Sequence, residues 1–408
     1  MQDWVGRDAS VVWHGFTQMA TYADNEPIVV ERAEGRELID VDGRRYLDAV
    51  SSLWVTTLGH RVAELDAAVV EQLGRVAHST MLGNGNRVVV ELAEALAARV
   101  PVDGAHLLFA SDGASAVEQA LKIAFQHWVN LGVTGRTAYL ALGGAYHGDT
   151  IGALSVGAGG FGSDLFDPLR FPVVRAPGYD DPGWADAAVA ALEQHASSLA
   201  AVVIEPLVQC AAGMQVAAAH DVRRVVEAAQ AMGVLVICDE VATGFGRTGT
   251  LFASQQCGIR PDLLCLGKSI TGGYLPMSAT VASHAVFESF LGEDLGPRTL
   301  YHGHSYGGNA LAAAVALRHL ELLDEWDVLA NVRARSAQLS ALLGERAPRV
   351  CGLLAGFDVV SGKEARRACA EAVRRGVFVR PIGETICVVP PLTTTAEEIE
   401  RIVEAVSH

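Results

Sequence analysis

From about residue 105 the chain alternates short, wholly apolar runs with amphipathic stretches. The apolar runs are 107–111 (LLFAS), 138–142 (AYLAL), 200–207 (AAVVIEPL), 234–241 (VLVICDEV) and 262–269 (DLLCLGKS). Between them, 115–129 and 221–233 space their apolar residues as helices do. Strands without a polar face are buried on both sides, so the pattern predicts a mostly parallel sheet flanked by helices, the core of an α/β domain. Ahead of it, 37–48 (ELIDVDGRRYLD) predicts two short strands joined at Asp42-Gly43, a pair that tolerates positive φ. After residue 305 the pattern predicts helices near 310–346, strands near 351–360 and 377–389, and a last helix opened by a Thr395/Glu398 capping box. The expected division is 1–55 as the N-terminal part of a small α+β domain, 56–305 as a large α/β domain, and 306–408 as the C-terminal part of the small one.

Composition narrows the chemistry. Half of the 408 residues are hydrophobic and 19% are charged, which suits a compact globular chain without a disordered bulk. A formal charge of −16 lacks the basic footprint that nucleic acid or an anionic membrane surface requires, so no nucleic-acid or membrane partner is expected. MQDWVGRDAS has no signal-peptide pattern, and the seven cysteines are scattered without a CxxC pair. Both point to a cytoplasmic protein with reduced thiols. Among 31 basic residues only three, Lys122, Lys268 and Lys363, are lysines. Where this chain keeps a lysine, arginine need not suffice.

Lys268 lies in CLGKSITGG, and Gly267-Lys268-Ser269 has the ending of a nucleotide-binding P-loop. That motif needs a glycine at 262, where Asp262 stands, and a flexible loop where LLCL reads as a strand. Glu205, Asp239 and Lys268 instead each close an apolar run, and ligands of an open parallel sheet bind at such carboxyl ends. The run 107–111 ends in SDGAS, a glycine turn into a helix N-terminus, where free N–H groups suit a phosphate. A desolvated lysine becomes a nucleophile toward an aldehyde. Pyridoxal 5′-phosphate (PLP) requires that lysine, a phosphate cradle and a carboxylate facing its ring nitrogen. Taken singly, Asp239 could equally be a helix cap, and Tyr146 in GGAYHGDT could be ordinary half-buried packing. His147 and the HGH of 302–304 do not have the spacing of a metal site.

SDGASAVEQALK, AYHGDT, VVIEPLVQ, DEVATGFGRTG and GKSITGGYLPMSA, in this order and spacing, resemble the class III aminotransferases of PLP fold type I across nearly the whole chain. The resemblance implies transfer of an amino group from a small amine donor to a keto acceptor. It implies that Lys268 bonds to PLP and later carries the proton, that Asp239 pairs with the ring nitrogen, and that Tyr146 lies by ring and substrate. Gly113 and Ala114 would bind the phosphate through main-chain N–H groups. His304 and Ser305 would reach it from the second subunit of a homodimer. Arg380 would bind the acceptor carboxylate, and Trp54 and Gly303 would line the substrate pocket.

WHGFTQM, SSLW, FVRPIGETICVVPPL and HGHSYGGN resemble, more narrowly, the biotin-pathway branch of that class, which aminates 8-amino-7-oxononanoate using adenosylmethionine or lysine as donor. Departures from that branch are Leu53 for a tryptophan, Gly15-Phe16 for a Pro-Tyr pair, and Ala114 for a frequent serine, with Ser115 next to it. The HGHS form resembles the members that use lysine. An aminotransferase of secondary metabolism or amine catabolism, a PLP racemase or mutase, and a phosphate-ligand binding protein are the competing readings.

Overall fold

The computed structural model describes residues 3–158 and 163–407. Its centre is a seven-stranded sheet, numbered here along the chain: β1 His106–Ala110, β2 Ala138–Leu142, β3 Val174–Ala176, β4 Leu199–Ile204, β5 Leu235–Asp239, β6 Leu263–Leu266 and β7 Ser278–Ala282. The spatial order is β1-β7-β6-β5-β4-β2-β3. Every strand is parallel to the rest except β7, which runs antiparallel to both β6 and β1.

The apolar runs make this sheet because each strand sends alternate residues to two separate cores. Val202, Ile204, Val236, Cys238, Leu264 and Leu266 enter one core. Ala201, Val203, Leu235, Ile237, Leu263 and Cys265 enter the other, against Ala116, Val117 and Ala120 of helix Gly113–Asn130. The antiparallel β7 is absent from the sequence-based expectation. Ser278 follows Leu266 too closely for a crossover helix, so the chain can return to the sheet only in the opposite direction.

The expected N-terminal hairpin forms as Glu37–Asp40 and Arg45–Asp48, with Gly43 at φ +81 in the connection. Its sheet is completed from the far end of the chain, Val377 pairing with Leu47 and Phe378 with Asp48 in parallel. A further four-stranded sheet joins Arg349–Cys351, Leu354–Asp358, Thr385–Val388 and Arg380–Ile382. The last helix, Ala396–Val406, opens on the expected capping box: Glu398 N donates to Thr395 Oγ1 at 3.3 Å and Thr395 N to Glu398 Oε2 at 2.8 Å. Among the described residues no helix is long and apolar enough to cross a membrane.

Arg247, fully buried, ties the segments together. Its guanidinium donates to Pro390 O at 2.7 Å and to Thr56 O at 2.9 Å, so one side chain satisfies carbonyls from both ends of the chain. Gly352 lies against the Arg247 carbonyl at φ +61, where an added Cβ would come within 2.1 Å of that oxygen. Gly383 has a similar φ of +57 but open space around it. Gly383→Ala should therefore cost only the left-handed strain, about 1–2 kcal/mol. Gly352→Ala adds a clash with backbone that cannot move aside, and should cost more than about 3 kcal/mol or prevent folding. Urea unfolding of the two variants distinguishes them, and equal midpoints would contradict this packing.

Candidate active site

A cavity of about 500 Å³ opens at the carboxyl ends of the parallel strands, and Glu205, Asp239 and Lys268 all line it. Asp239, the last residue of β5, is 5% exposed. Its Oδ1 accepts from Val241 N at 2.9 Å and its Oδ2 faces His147 Nδ1 at 2.8 Å. Asp239 thus closes a turn rather than a helix start, and also presents a carboxylate to the cavity. Glu240 serves a different purpose: its carboxylate accepts from Ala253 N and Ser254 N at 2.6 and 2.8 Å, closing a helix start away from the cavity.

Glu205 follows β4 and accepts from Tyr146 N at 3.1 Å. Burial pushes its carboxyl up to about 8, Asp239 adds to the effect, and His147 and Lys268 oppose it. His147 is buried, which by itself disfavours its cation, but the hydrogen bond and charge of Asp239, helped by Glu205, raise its pKa. The sequence holds a signal for His147 only in its place next to Tyr146. Its pairing with Asp239, 92 residues away, is a product of the fold.

Lys268 begins the turn after β6 at φ +40, in the left-handed region, and its Nζ lies 5.0 Å from the centroid of the Trp54 ring. Trp54 is itself at φ +63, with Ser51 and Ser52 at +51 and +62. Such residues cost of order 1–3 kcal/mol each and persist only where their surroundings hold them. Ser51 Oγ donates to Val389 O at 2.7 Å, and Ser52 N donates to the buried Asp48, which His60 also contacts at 3.0 Å. The aromatic wall is held by polar bonds from both ends of the chain.

Gly113 and Ala114 begin helix Gly113–Asn130 at the cavity, and the first N–H groups of a helix have no carbonyl behind them. A Cβ on Gly113 would meet Val241 at 2.6 Å, so only glycine lets this turn close against the loop that follows Asp239. Ser115 does not replace the hydroxyl missing at Ala114: its Oγ donates to Asp112 Oδ2 at 2.8 Å. Tyr146 lines the cavity with its hydroxyl bonded to Asp149 at 2.9 Å; burial first, and Asp149 second, push the phenol far above its ordinary range.

Gly303, His304, Ser305 and Arg380 do not line the cavity of the single chain. Gly303 packs on Leu82, His304 Nδ1 accepts from Tyr306 N at 3.1 Å, and Ser305 O faces His78 Nε2 at 2.8 Å. Arg380 is exposed at the start of its short strand, opposite Cys387. Ala242 and Thr243, inside the DEVATGFGRTG motif, and Cys210, just after VVIEPLVQ, also line the cavity although the sequence did not single them out.

The aminotransferase class-III family matches residues 18–408. An adenosylmethionine-8-amino-7-oxononanoate aminotransferase of Nitratidesulfovibrio vulgaris is 43% identical, covering 98% of this chain and 80% of that protein. The crystal structure of an enzyme of the same name from Methanocaldococcus jannaschii superposes with a TM-score of 0.94 at 35% identity, covering 98% of each chain. A PLP-bound amine transaminase from an uncultivated Pseudomonas species superposes with a TM-score of 0.88 at 32% identity, covering 97% of each. The chain belongs to the class-III aminotransferases and is a PLP-dependent transaminase. The donor set fits that cofactor: a helix start closed by Gly113 for the phosphate, a buried carboxylate for the ring nitrogen, and a lysine lining the same cavity for the aldehyde.

Between its ordinary 4.5 and about 8, Glu205 in the folded chain holds a proton that the unfolded chain has released. Cofactor-free protein should therefore lose stability as pH rises across that window. The raised His147, and Glu240 at about 7, slope the same way, so Glu205→Gln should remove only one share of the fall. Denaturant unfolding at a series of pH values checks this; an unchanged slope in the variant would exclude a protonated Glu205.

Proposed function

We propose that the chain aminates 8-amino-7-oxononanoate to 7,8-diaminononanoate in biotin biosynthesis, with adenosylmethionine or lysine as amine donor. The observation that carries the reading is the full-length relationship to enzymes of that name together with a cavity built on Lys268, Asp239 and Trp54. When bound, the cofactor supplies an aldehyde for the migrating amino group and an electron-withdrawing ring. Lys268 Nζ would hold that aldehyde at rest and, once displaced by the donor amine, move a proton at the substrate carbon as a general base and acid. Asp239, pinned by Val241 N and His147, would keep its negative charge against the ring nitrogen. Gly113 and Ala114 would donate their N–H groups to the phosphate, and Tyr146 and Trp54 would exclude water around the reacting carbon.

Arg380 would take the acceptor carboxylate through its planar pair of donors. Gly303 would line the pocket, and His304 and Ser305 would complete the phosphate site, from a second copy in a homodimer. That assembly is supported by their position outside the single-chain cavity and by the exposure of Tyr301, Tyr306 and Leu82 around them, at 65%, 61% and 61%. The reading also divides the chain into a cofactor domain, 56–305, and a smaller domain from 1–55 and 306–408. It places the enzyme in the cytoplasm, in keeping with seven free cysteines.

A second reading, an aminotransferase of amine catabolism or secondary metabolism with a remodelled pocket, is favoured by Leu53 and Phe16. They are 54% and 70% exposed where the biotin-pathway branch carries larger polar-tipped aromatics. Supplying 8-amino-7-oxononanoate with each donor in turn separates the readings: diaminononanoate should form with at least one of them. No product with either, while simple amines turn over, would establish the second reading. Lys268→Ala should lower turnover by roughly 10³-fold or more.

The shared site has its own test. Lys268→Ala and the double variant His304→Ala/Ser305→Ala should each be crippled, and exchanging their subunits should restore activity toward about a quarter of wild type, because each hybrid regains one intact site. No recovery, or a fully active double variant, would place the whole site in one chain.

A further inference from the structure

Helix Ala310–Glu325 buries alanine, valine and leucine against the large domain, with one polar exception. His319 is 0% exposed, and both of its ring nitrogens are engaged. Nδ1 lies 3.2 Å from Ile270 O and Nε2 lies 2.7 Å from Thr57 Oγ1. A carbonyl oxygen only accepts, so Nδ1 carries the proton and Nε2 accepts from the threonine hydroxyl. Burial, with the charge of Arg247 adding and the bond to Ile270 opposing, depresses the ring to about 4, so it stays neutral in this one tautomer. A leucine would fill the space at less desolvation cost if packing were its only purpose.

The two partners matter because of what they carry. Ile270 is the third residue of the turn Lys268–Thr271, which the left-handed Lys268 opens. Thr57 ends the segment containing Trp54, whose ring lies 5.0 Å from Lys268 Nζ. Gly272, at φ +65, lets the ring approach: a Cβ there would meet His319 Cδ2 at 3.2 Å and Thr57 Oγ1 at 3.3 Å. One imidazole therefore spans the lysine turn and the aromatic wall above it. We propose that His319 is a positioning residue for the reaction, holding the strained turn of Lys268 in register with Trp54 so that the amine keeps its place in the cavity.

This rests on the reading of Lys268 as the residue that bonds to the cofactor, and the experiment keeps the two separable. In the wild type, a pH-sensitive visible band that Lys268→Ala abolishes tests the Lys268 reading by itself. On that footing, His319→Leu in the holoenzyme should lower kcat between about 10- and 100-fold, the cost of a misplacement near 1 Å. KM for the acceptor should change little, because His319 does not line the cavity. The titration midpoint of the visible band should move, and in cofactor-free protein the amides of 268–273 should exchange faster. His319→Gln, which keeps a donor and an acceptor, should recover most of the loss. Thr57→Val, which removes only the hydroxyl, should shift the band in the same direction by less, and serves if His319→Leu does not fold. Wild-type kcat and band titration in His319→Leu, or in Thr57→Val where that variant stands in for it, would overturn the proposal. So would a loss confined to thermal stability.

Discussion

The site depends on the burial of acids and a base at one edge of an apolar sheet. Moving a charged group out of water costs several kcal/mol even after relaxation, and Glu205, His147 and Asp239 are all nearly or wholly buried. The structure offsets this with direct pairing: Asp239 has both Val241 N and His147, and Glu205 has Tyr146 N. Where pairing falls short the protein adjusts protonation instead, which is why Glu205 moves up to about 8 while His147 is drawn toward its cation. Of the two buried cavity carboxylates, Asp239 is the better supplied with hydrogen-bond partners. Keeping Glu205 protonated spares the cluster a buried charge that Tyr146 N alone would have to offset.

Around that cluster the backbone is strained at Ser51, Ser52, Trp54 and Lys268, all at positive φ. Each would relax in an isolated loop, and none stands alone here. Asp48 holds Ser52, Val389 holds Ser51, Thr56 bonds to Arg247, and Ile270 bonds to His319. These clamps come from residues 48, 247, 319 and 389, so the position of the Lys268 amine is set by the whole fold. Rigidity of that kind is what a proton transfer between fixed atoms requires.

Five strands of the central sheet, β1, β2, β4, β5 and β6, were legible because they are apolar runs, and the polar residues that end them follow a rule of backbone convergence that needs no tertiary knowledge. The same rule placed Glu205, Asp239 and Lys268 in one cavity, and SDGAS with them. The capping box at Thr395 and the turn at Gly43 were legible because both are local. Contacts across long separations were not. His147 with Asp239, His319 with Ile270 and Thr57, and Val377 with Leu47 each join segments whose proximity no pattern of neighbouring residues encodes. The strands β3 and β7 escaped for a different reason: VRA is three residues with a charged centre, and SATVA is small and partly polar, its direction forced only by the brevity of the connection before it.

The residues at the strand ends and those on the surface differ in how they are anchored. Lys268, Asp239 and Gly113 are bound to strands whose alternate residues fill two cores, so a change in their position would disturb both. Leu53 and Phe16 are exposed, and Arg380 stands on the outer face of a three-residue strand. Substitution at these places leaves the cores and the buried charge cluster untouched, and surface changes of that kind typically alter stability by less than about 0.5 kcal/mol. The anchored set can therefore stay constant while these exposed positions vary. The residues that make the family recognisable are thus the anchored ones, and exposed positions such as Leu53, Phe16 and Arg380 can change without disturbing them.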